Sequence, residues 1–279
     1  MNRIRAGFCE VPNPFNPKQV SRVSLKPEDV TIFVFWTRNP RPLMEYLPEL
    51  DSRGFKYYFL YTIIGYPKEL EASPPREEAI KCFRELSRNI GREKVIWRYD
   101  PLILSNLTTI EWHKENFMFI ADRLKGFTER VITSVIEPYR KTKSRLEKET
   151  GEGFTLLPGA FDEESYIPLF EFIGKNSVEF GITPFSCSED IELDEFGIKH
   201  GICIDADLIS SIIKGPLKYR KDPSQRKMCR CTVSKDIGMN TTCLFNCRYC
   251  YATSSLDQAR KNRQRHEKNS DSLIRRDPA

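Results

Sequence analysis

Val30-Thr-Ile-Phe-Val-Phe-Trp36, closed by Thr37-Arg38-Asn39-Pro40, is the stretch whose reading decides the fold. β-branched and aromatic residues fill the run, and a polar cluster ending in proline stops it. That pattern predicts a buried strand followed by a turn. The same pattern returns in Lys56-Tyr-Tyr-Phe-Leu-Tyr-Thr62 ahead of Gly65-Tyr-Pro67 and in Val95-Ile-Trp-Arg-Tyr99 ahead of Asp100-Pro101. It returns again in Val131-Ile-Thr-Ser-Val-Ile136 and in Val178-Glu-Phe-Gly-Ile-Thr183. Helical spacing fills the gaps. Residues 76–90 set Ala79, Ile80, Phe83, Leu86 and Ile90 three or four apart, residues 115–125 do the same with Phe117, Ile120, Ala121 and Leu124, and residues 162–176 with Ile167, Phe170 and Ile173. Strands alternating with amphipathic helices predict an α/β protein with a parallel sheet. Repeated often enough, the unit gives a full or partial (β/α) barrel, whose chemistry sits where the strands end.

A chain of 279 residues accommodates one such domain. Charged residues make up 30% of it, and no apolar run approaches the ~20 residues that cross a bilayer. The N-terminal Met-Asn-Arg-Ile-Arg-Ala-Gly-Phe-Cys has basic residues without a following apolar stretch of signal length. These features predict a cytoplasmic protein with no membrane partner, in which thiols stay reduced and open to metal. Charge is uneven: residues 214–279 hold 16 Lys/Arg against 6 Asp/Glu, whereas the whole chain is only +5. A basic end favours an anionic partner, with nucleic acid as the first candidate, although no stacking motif interleaves the charge. The expected organisation is one barrel-like domain over residues 1–252, including a cluster-binding segment at 226–252. A basic helix and a flexible tail are expected over 253–279, the helix at Ser255–His266.

The chain has nine cysteines, and three of them stand in Cys243-Leu-Phe-Asn-Cys247-Arg-Tyr-Cys250. Three thiolates at this spacing can bend round one cubane [4Fe-4S] cluster and leave its fourth iron open for a ligand. Zinc is the competing reading, but its structural sites usually pair Cys-x2-Cys elements and add a fourth protein ligand. A disulfide framework suits an even count in a short secreted chain.

The Cys-x3-Cys-x2-Cys spacing, with Tyr249 just before the last cysteine, resembles the signature of the radical S-adenosylmethionine (SAM) superfamily. The resemblance implies that Cys243, Cys247 and Cys250 hold the cluster and that SAM chelates the open iron. It also implies that one electron from a cellular reductant cleaves SAM to a 5′-deoxyadenosyl radical, and that Tyr249 packs near the adenine. In that superfamily the motif usually follows the first barrel strand, near the N-terminus. Its late position here implies a circular permutation, with residues 232–234 as a displaced first strand and residues 30–36 as the second. Over nearly its whole length the chain also resembles a prokaryotic family of unknown function with a C-terminal radical-SAM-like cysteine cluster. The segments that carry this are Phe35-Trp-Thr-Arg-Asn-Pro40, Tyr57-Tyr-Phe-Leu-Tyr-Thr62, Arg98-Tyr-Asp-Pro101, Cys203-Ile-Asp205 and Gln225-Arg-Lys-Met-Cys-Arg-Cys231. Locally, Cys247-Arg-Tyr-Cys-Tyr-Ala252 is similar to the cluster loop of spore photoproduct lyase and its relatives. No Gly-Gly-Glu follows a predicted strand, where many superfamily members hold the SAM amino group. By barrel position Thr37, Arg38 and Asn39 take that place, and Arg98 and Asp100 are placed to orient the SAM carboxylate or a substrate.

Six cysteines lie outside the motif. Cys82 falls on the apolar face of a helical pattern and reads as core. Cys187, Cys203, Cys229 and Cys231 can supply four thiolates to a second centre, iron–sulfur or zinc; the competing reading is dispersed core thiols, with Cys229 and Cys231 pointing opposite ways on a strand. The main reading is therefore a radical SAM-type enzyme. The reading from another class is a non-catalytic metal-binding protein whose basic C-terminus contacts nucleic acid, and an electron-transfer protein is a third.

Overall fold

In a computed structural model, residues 1–13, 16, 18–148, 153–187 and 189–275 are described. Helix α1 (Asn2–Ala6) leads into an antiparallel hairpin of β1 (Phe8–Pro12) and β2 (Val20–Ser24). The main sheet then begins with β3 (Phe33–Thr37), followed by the short helices α2 (Arg41–Met44) and α3 (Leu47–Ser52) and by β4 (Tyr57–Thr62). Next come α4 (Arg76–Ile90), β5 (Val95–Leu102), α5 (Ile110–Leu124), β6 (Arg130–Val135), α6 (Arg140–Lys148) and α7 (Ile167–Ser177). The chain continues through β7 (Thr183–Ser186), β8 (Lys199–His200), α8 (Ala206–Ile213) and α9 (Leu256–Gln264).

Strands β3 to β8 form one six-stranded sheet in which each pairs in parallel with the next in sequence. This is a mixed α/β fold with a parallel sheet flanked by helices. Among the described residues no ladder joins β8 back to β3, so the sheet is open.

Side chains alternate across each strand, as the pleat requires. Phe33, Phe35, Tyr57, Phe59, Tyr61, Trp97 and Tyr99 face one side, where α4, α5 and α7 cover them. Helix α4 buries Ala79, Ile80, Phe83 and Leu86, the spacing expected from its sequence, and Phe83 stacks on Tyr61 at 5.4 Å. Trp97 stacks on Phe117 of α5 at 5.0 Å. The other side carries Val34, Tyr58, Leu60, Ile96, Ile132 and Phe185, and α8 covers it with Leu208 and Ile209. Burying each of these two side chains contributes about 1.5–3 kcal/mol. Asp205 caps α8 by accepting from the amides of Asp207 and Leu208, and Arg130 Nη1 binds its other oxygen at 2.6 Å.

Three expectations need correction. The run 178–183 is not a strand. Residues Val178–Phe180 form a single tight turn that ends α7, with Val178 70% exposed, and Gly181 stops it with φ +68. The strand lies three residues on, in Thr183-Pro-Phe-Ser186, where Pro184 obscured it. Residues 232–234 form no strand beside β3: Thr232 makes an isolated bridge to Lys221, and its amide donates to Ile204 O at 3.0 Å. The tail after α9 is not loose over its described part. Glu10 N donates to Asp271 O at 2.8 Å, Arg3 Nη2 donates to Lys268 O at 2.9 Å, and Ser272 and Ile274 are buried. The final stretch, 276–279, expected to be disordered, lies outside the described residues, as does 149–152 of the charged segment after α6.

Candidate metal centre

Between α8 and α9 the chain forms neither helix nor extended strand, so its conformation rests on individual bonds. Thr241 N donates to Ala252 O at 2.8 Å and closes residues 241–252 into a loop. Thr241 and Asn246 both take positive φ, 59 and 49, one at the start of the loop and one just before Cys247. Asparagine tolerates that conformation better than most residues. The loop is fixed to the sheet by main-chain bonds to the connection after β4: Ala72 N donates to Phe245 O at 2.7 Å, and Arg248 N to Leu70 O at 2.8 Å. It therefore lies beyond the C-terminal ends of β3 and β4, where parallel α/β proteins place their chemistry.

Within the loop Cys243 is exposed, Cys250 half-buried and Cys247 buried. Burial pushes the Cys247 thiol up to about 12, against the opposing pull of Arg38. Cys250 N donates to Cys247 O at 3.0 Å, and Arg145 of α6 donates to the Cys250 carbonyl. The loop carries no fourth thiol, histidine or carboxylate. Among the described residues, no group of three or more His, Cys, Asp or Glu side chains is set, as it stands, to hold a metal ion.

Tyr249 turns into the protein. Its hydroxyl accepts from Arg38 Nη2 at 2.7 Å and donates to Glu71, while Arg38 Nη1 reaches Glu71 Oε2 at 2.8 Å. Its ring meets Tyr66 edge-on at 5.8 Å. Burial first, then Glu71, raises the Tyr249 hydroxyl well above its ordinary range, so it stays neutral and can donate. Burial alone opposes the charge on Arg38, and Tyr249 and Glu71 hold it charged. A buried cation and anion sharing a neutral hydroxyl satisfy one another; removing either leaves an unpaired buried charge.

The other residues singled out in the sequence divide. Thr37 Oγ1 accepts from Asn39 N at 2.9 Å, and Asn39 Oδ1 from Arg41 N at 3.2 Å, so both shape the turn into α2. Arg38 alone of the three reaches the loop. Arg98 and Asp100 project from the α8-covered side of β5 and pair through two bonds, one of 2.8 Å from Nε. Ser134 Oγ donates to Asp100 at 3.2 Å. The Arg98 charge is felt by Tyr251 as well as by Cys187 and Cys203.

Those thiols are not dispersed. Cys187 and Cys203 bring their sulfurs to 3.5 Å. Cys203, Cys229 and Cys231 are buried in one cluster, and Cys187 packs against it. The Ile204 amide donates to Cys231 Sγ at 3.3 Å. Gly201 makes the approach possible, because a Cβ there would stand 1.9 Å from Ser186 O.

Sequence reading missed Glu71, Tyr66 and Arg145. Glu71 had one available signal, a carboxylate set between the apolar Leu70 and Ala72 after a buried strand and its turn. Arg145 sits among the charges of α6 and carries no mark that separates it from them.

Fold and loop together define a parallel α/β protein with a thiol-bearing loop beyond its strand ends. Residues 1–252 match the family described as "Domain of unknown function (DUF1848)", and the chain belongs to that family. No curated protein and no solved structure matches it.

Proposed function

We propose that this chain is an iron–sulfur enzyme of radical SAM type, built on a partial (β/α) barrel that carries its cluster loop after the last strand of the sheet. Sequential parallel pairing from β3 to β8 is the neighbour order of a barrel, whereas doubly wound sheets reverse direction at a switch point. The observation that carries the reading is the loop itself: three thiols at cubane spacing, one of them exposed, with no fourth protein ligand in the loop. Soft thiolate donors in that number fit an iron–sulfur cluster with one position free.

Cys243, Cys247 and Cys250 would hold the cluster, which when bound supplies a chelating iron and a single electron for the reductive cleavage of SAM. The chain's own part is positioning. Arg38, Glu71 and Tyr249 fix the loop from beneath, so Tyr249 acts here by holding the thiols in place. Arg98 offers a guanidinium to a carboxylate, with Asp100 and Ser134 fixing its direction. Trp36, 47% exposed on the α8-covered side of β3, gives the adjoining surface an apolar wall. Buried Cys247 and the packed Phe245 exclude water from the inner side of the loop.

A test is electron paramagnetic resonance on anaerobically reconstituted, dithionite-reduced protein with and without SAM. A four-iron signal that changes on adding SAM supports the reading. A cluster signal indifferent to SAM moves the assignment to electron transfer, or to a metal-stiffened nucleic-acid binder using the exposed Arg260, Lys261 and Arg263 of α9. Zinc in place of iron excludes the radical mechanism.

A further inference from the structure

We propose that Cys187, Cys203, Cys229 and Cys231 form a closed, mononuclear tetrathiolate site for a zinc-class divalent cation, distinct from the Cys243–Cys250 loop. The inference does not depend on the loop holding a cluster.

The four residues come from three separate places: the end of β7, the segment after β8, and the turn that follows α8. Four hydrophobes would have sealed that junction as well, yet four cysteines stand there in one cluster, with the sulfurs of Cys187 and Cys203 in contact. Around one zinc ion with Zn–S of about 2.3 Å, tetrahedral geometry separates neighbouring sulfurs by about 3.8 Å. The observed 3.5 Å between Cys187 and Cys203 is close to that edge, and far longer than the ~2.0 Å of a disulfide. In a cubane each thiolate sits on a different iron, which spreads the sulfurs well beyond contact. The one close pair therefore matches an edge of a single-ion site rather than the wider separation of a second cluster.

As it stands the quartet is not set around an ion, and Cys187 and Cys203 share a thiol hydrogen bond that supplies one of the six edges. The surroundings suit the charge that four thiolates bring. The Arg98 charge is felt by Cys187 and Cys203, and the Ile204 amide donates to Cys231 Sγ. Such second-sphere donors are the usual support of a metal–thiolate centre. Tyr58 Oη donates to Cys203 O at 2.6 Å, and His200 Nε2 meets Met228 O at 2.8 Å, which fixes two of the backbone segments that present the sulfurs. With four protein ligands no position is left for substrate, so the ion's part is to bind the 226–232 turn to the sheet beneath Arg98.

The experiment uses full-length C243A/C247A/C250A protein, in which the loop cannot contribute, purified from zinc-replete cells. Elemental analysis is expected to find one zinc per chain. Adding Cys203→Ala should lower this at least tenfold, whereas adding Cys82→Ala, at a buried thiol outside the quartet, should leave it unchanged; circular dichroism confirms folding. If the Cys203→Ala protein does not fold, cobalt(II) titration of the zinc-stripped triple variant decides. Sulfur-to-cobalt charge transfer with intense tetrahedral d–d bands at one equivalent supports the site. Absence of retained zinc together with absence of those bands overturns it, and so does an iron–sulfur absorption in the triple variant.

Discussion

The two groups of cysteines in this chain are built on opposite plans. The 243–250 loop presents three thiols in graded exposure, from open Cys243 to buried Cys247, on a segment without regular structure. The 187/203/229/231 group gathers four thiols against the sheet, three of them buried and two, Cys187 and Cys203, in sulfur contact. Sites that do chemistry keep a ligand position free, and sites that brace a fold fill them all. On the two proposed readings, reactivity belongs to the loop and rigidity to the quartet.

The largest expected effect would divide the two regions outright. Cys247→Ala should remove iron from the loop and abolish SAM cleavage, while zinc in the quartet stays at one per chain. Elemental analysis and product chromatography on one preparation read both, and joint loss of the two metals would show that the regions are a single unit. Next, Arg38→Met leaves Glu71 buried without its cation, at an expected cost of about 3–5 kcal/mol in urea unfolding. Arg98→Met likewise leaves the buried Asp100 without its cation, at a comparable expected cost, and should in addition lower zinc retention.

A third measurement separates thiol chemistry from the core. His113 is buried between Tyr99 and the Ile103 carbonyl, and burial holds its imidazole down to about 4. The unfolded chain protonates this side chain near 6.5. Between those values the unfolded state takes up a proton that the folded state refuses. Stability is therefore full at pH 7, falls as pH drops from about 6.5, and levels off below about 4, a total of up to roughly 3 kcal/mol. His113→Gln should flatten that part of the profile in thermal melts, and an unchanged slope would place the titration elsewhere. The smallest effect belongs to Tyr249→Phe. Removing one hydroxyl between Arg38 and Glu71 should cost about 1–2 kcal/mol and loosen the loop without emptying it, read as a weakened but present cluster signal.

Much of the fold was legible because burial on both faces writes continuous β-branched and aromatic runs, as at 33–37, 57–62 and 95–102. Helix α4 matched its expected bounds because one apolar face of fifteen residues leaves little ambiguity. The run at 178–183 misled because Val178 and Phe180 mimic a strand while belonging to the turn that ends α7. The loop cysteines were visible from spacing alone. What spacing does not show is the layer beneath: Glu71 reaches Tyr249 only because the connection after β4 folds back along the loop. Arg98 was visible as a strand-end residue, but its burial with Asp100 depends on the α8-covered face of the sheet.

The bonds that hold the loop span the chain. Tyr249 lies 211 positions from Arg38 and 178 from Glu71. Contacts of such separation form late, after the closure entropy of the intervening chain has been met. The thiol loop can therefore take its shape only once the sheet exists, and a partly folded chain presents its cysteines unarranged. Metal loading should consequently report on the completed fold, which makes cluster occupancy a gauge of folding as well as of chemistry.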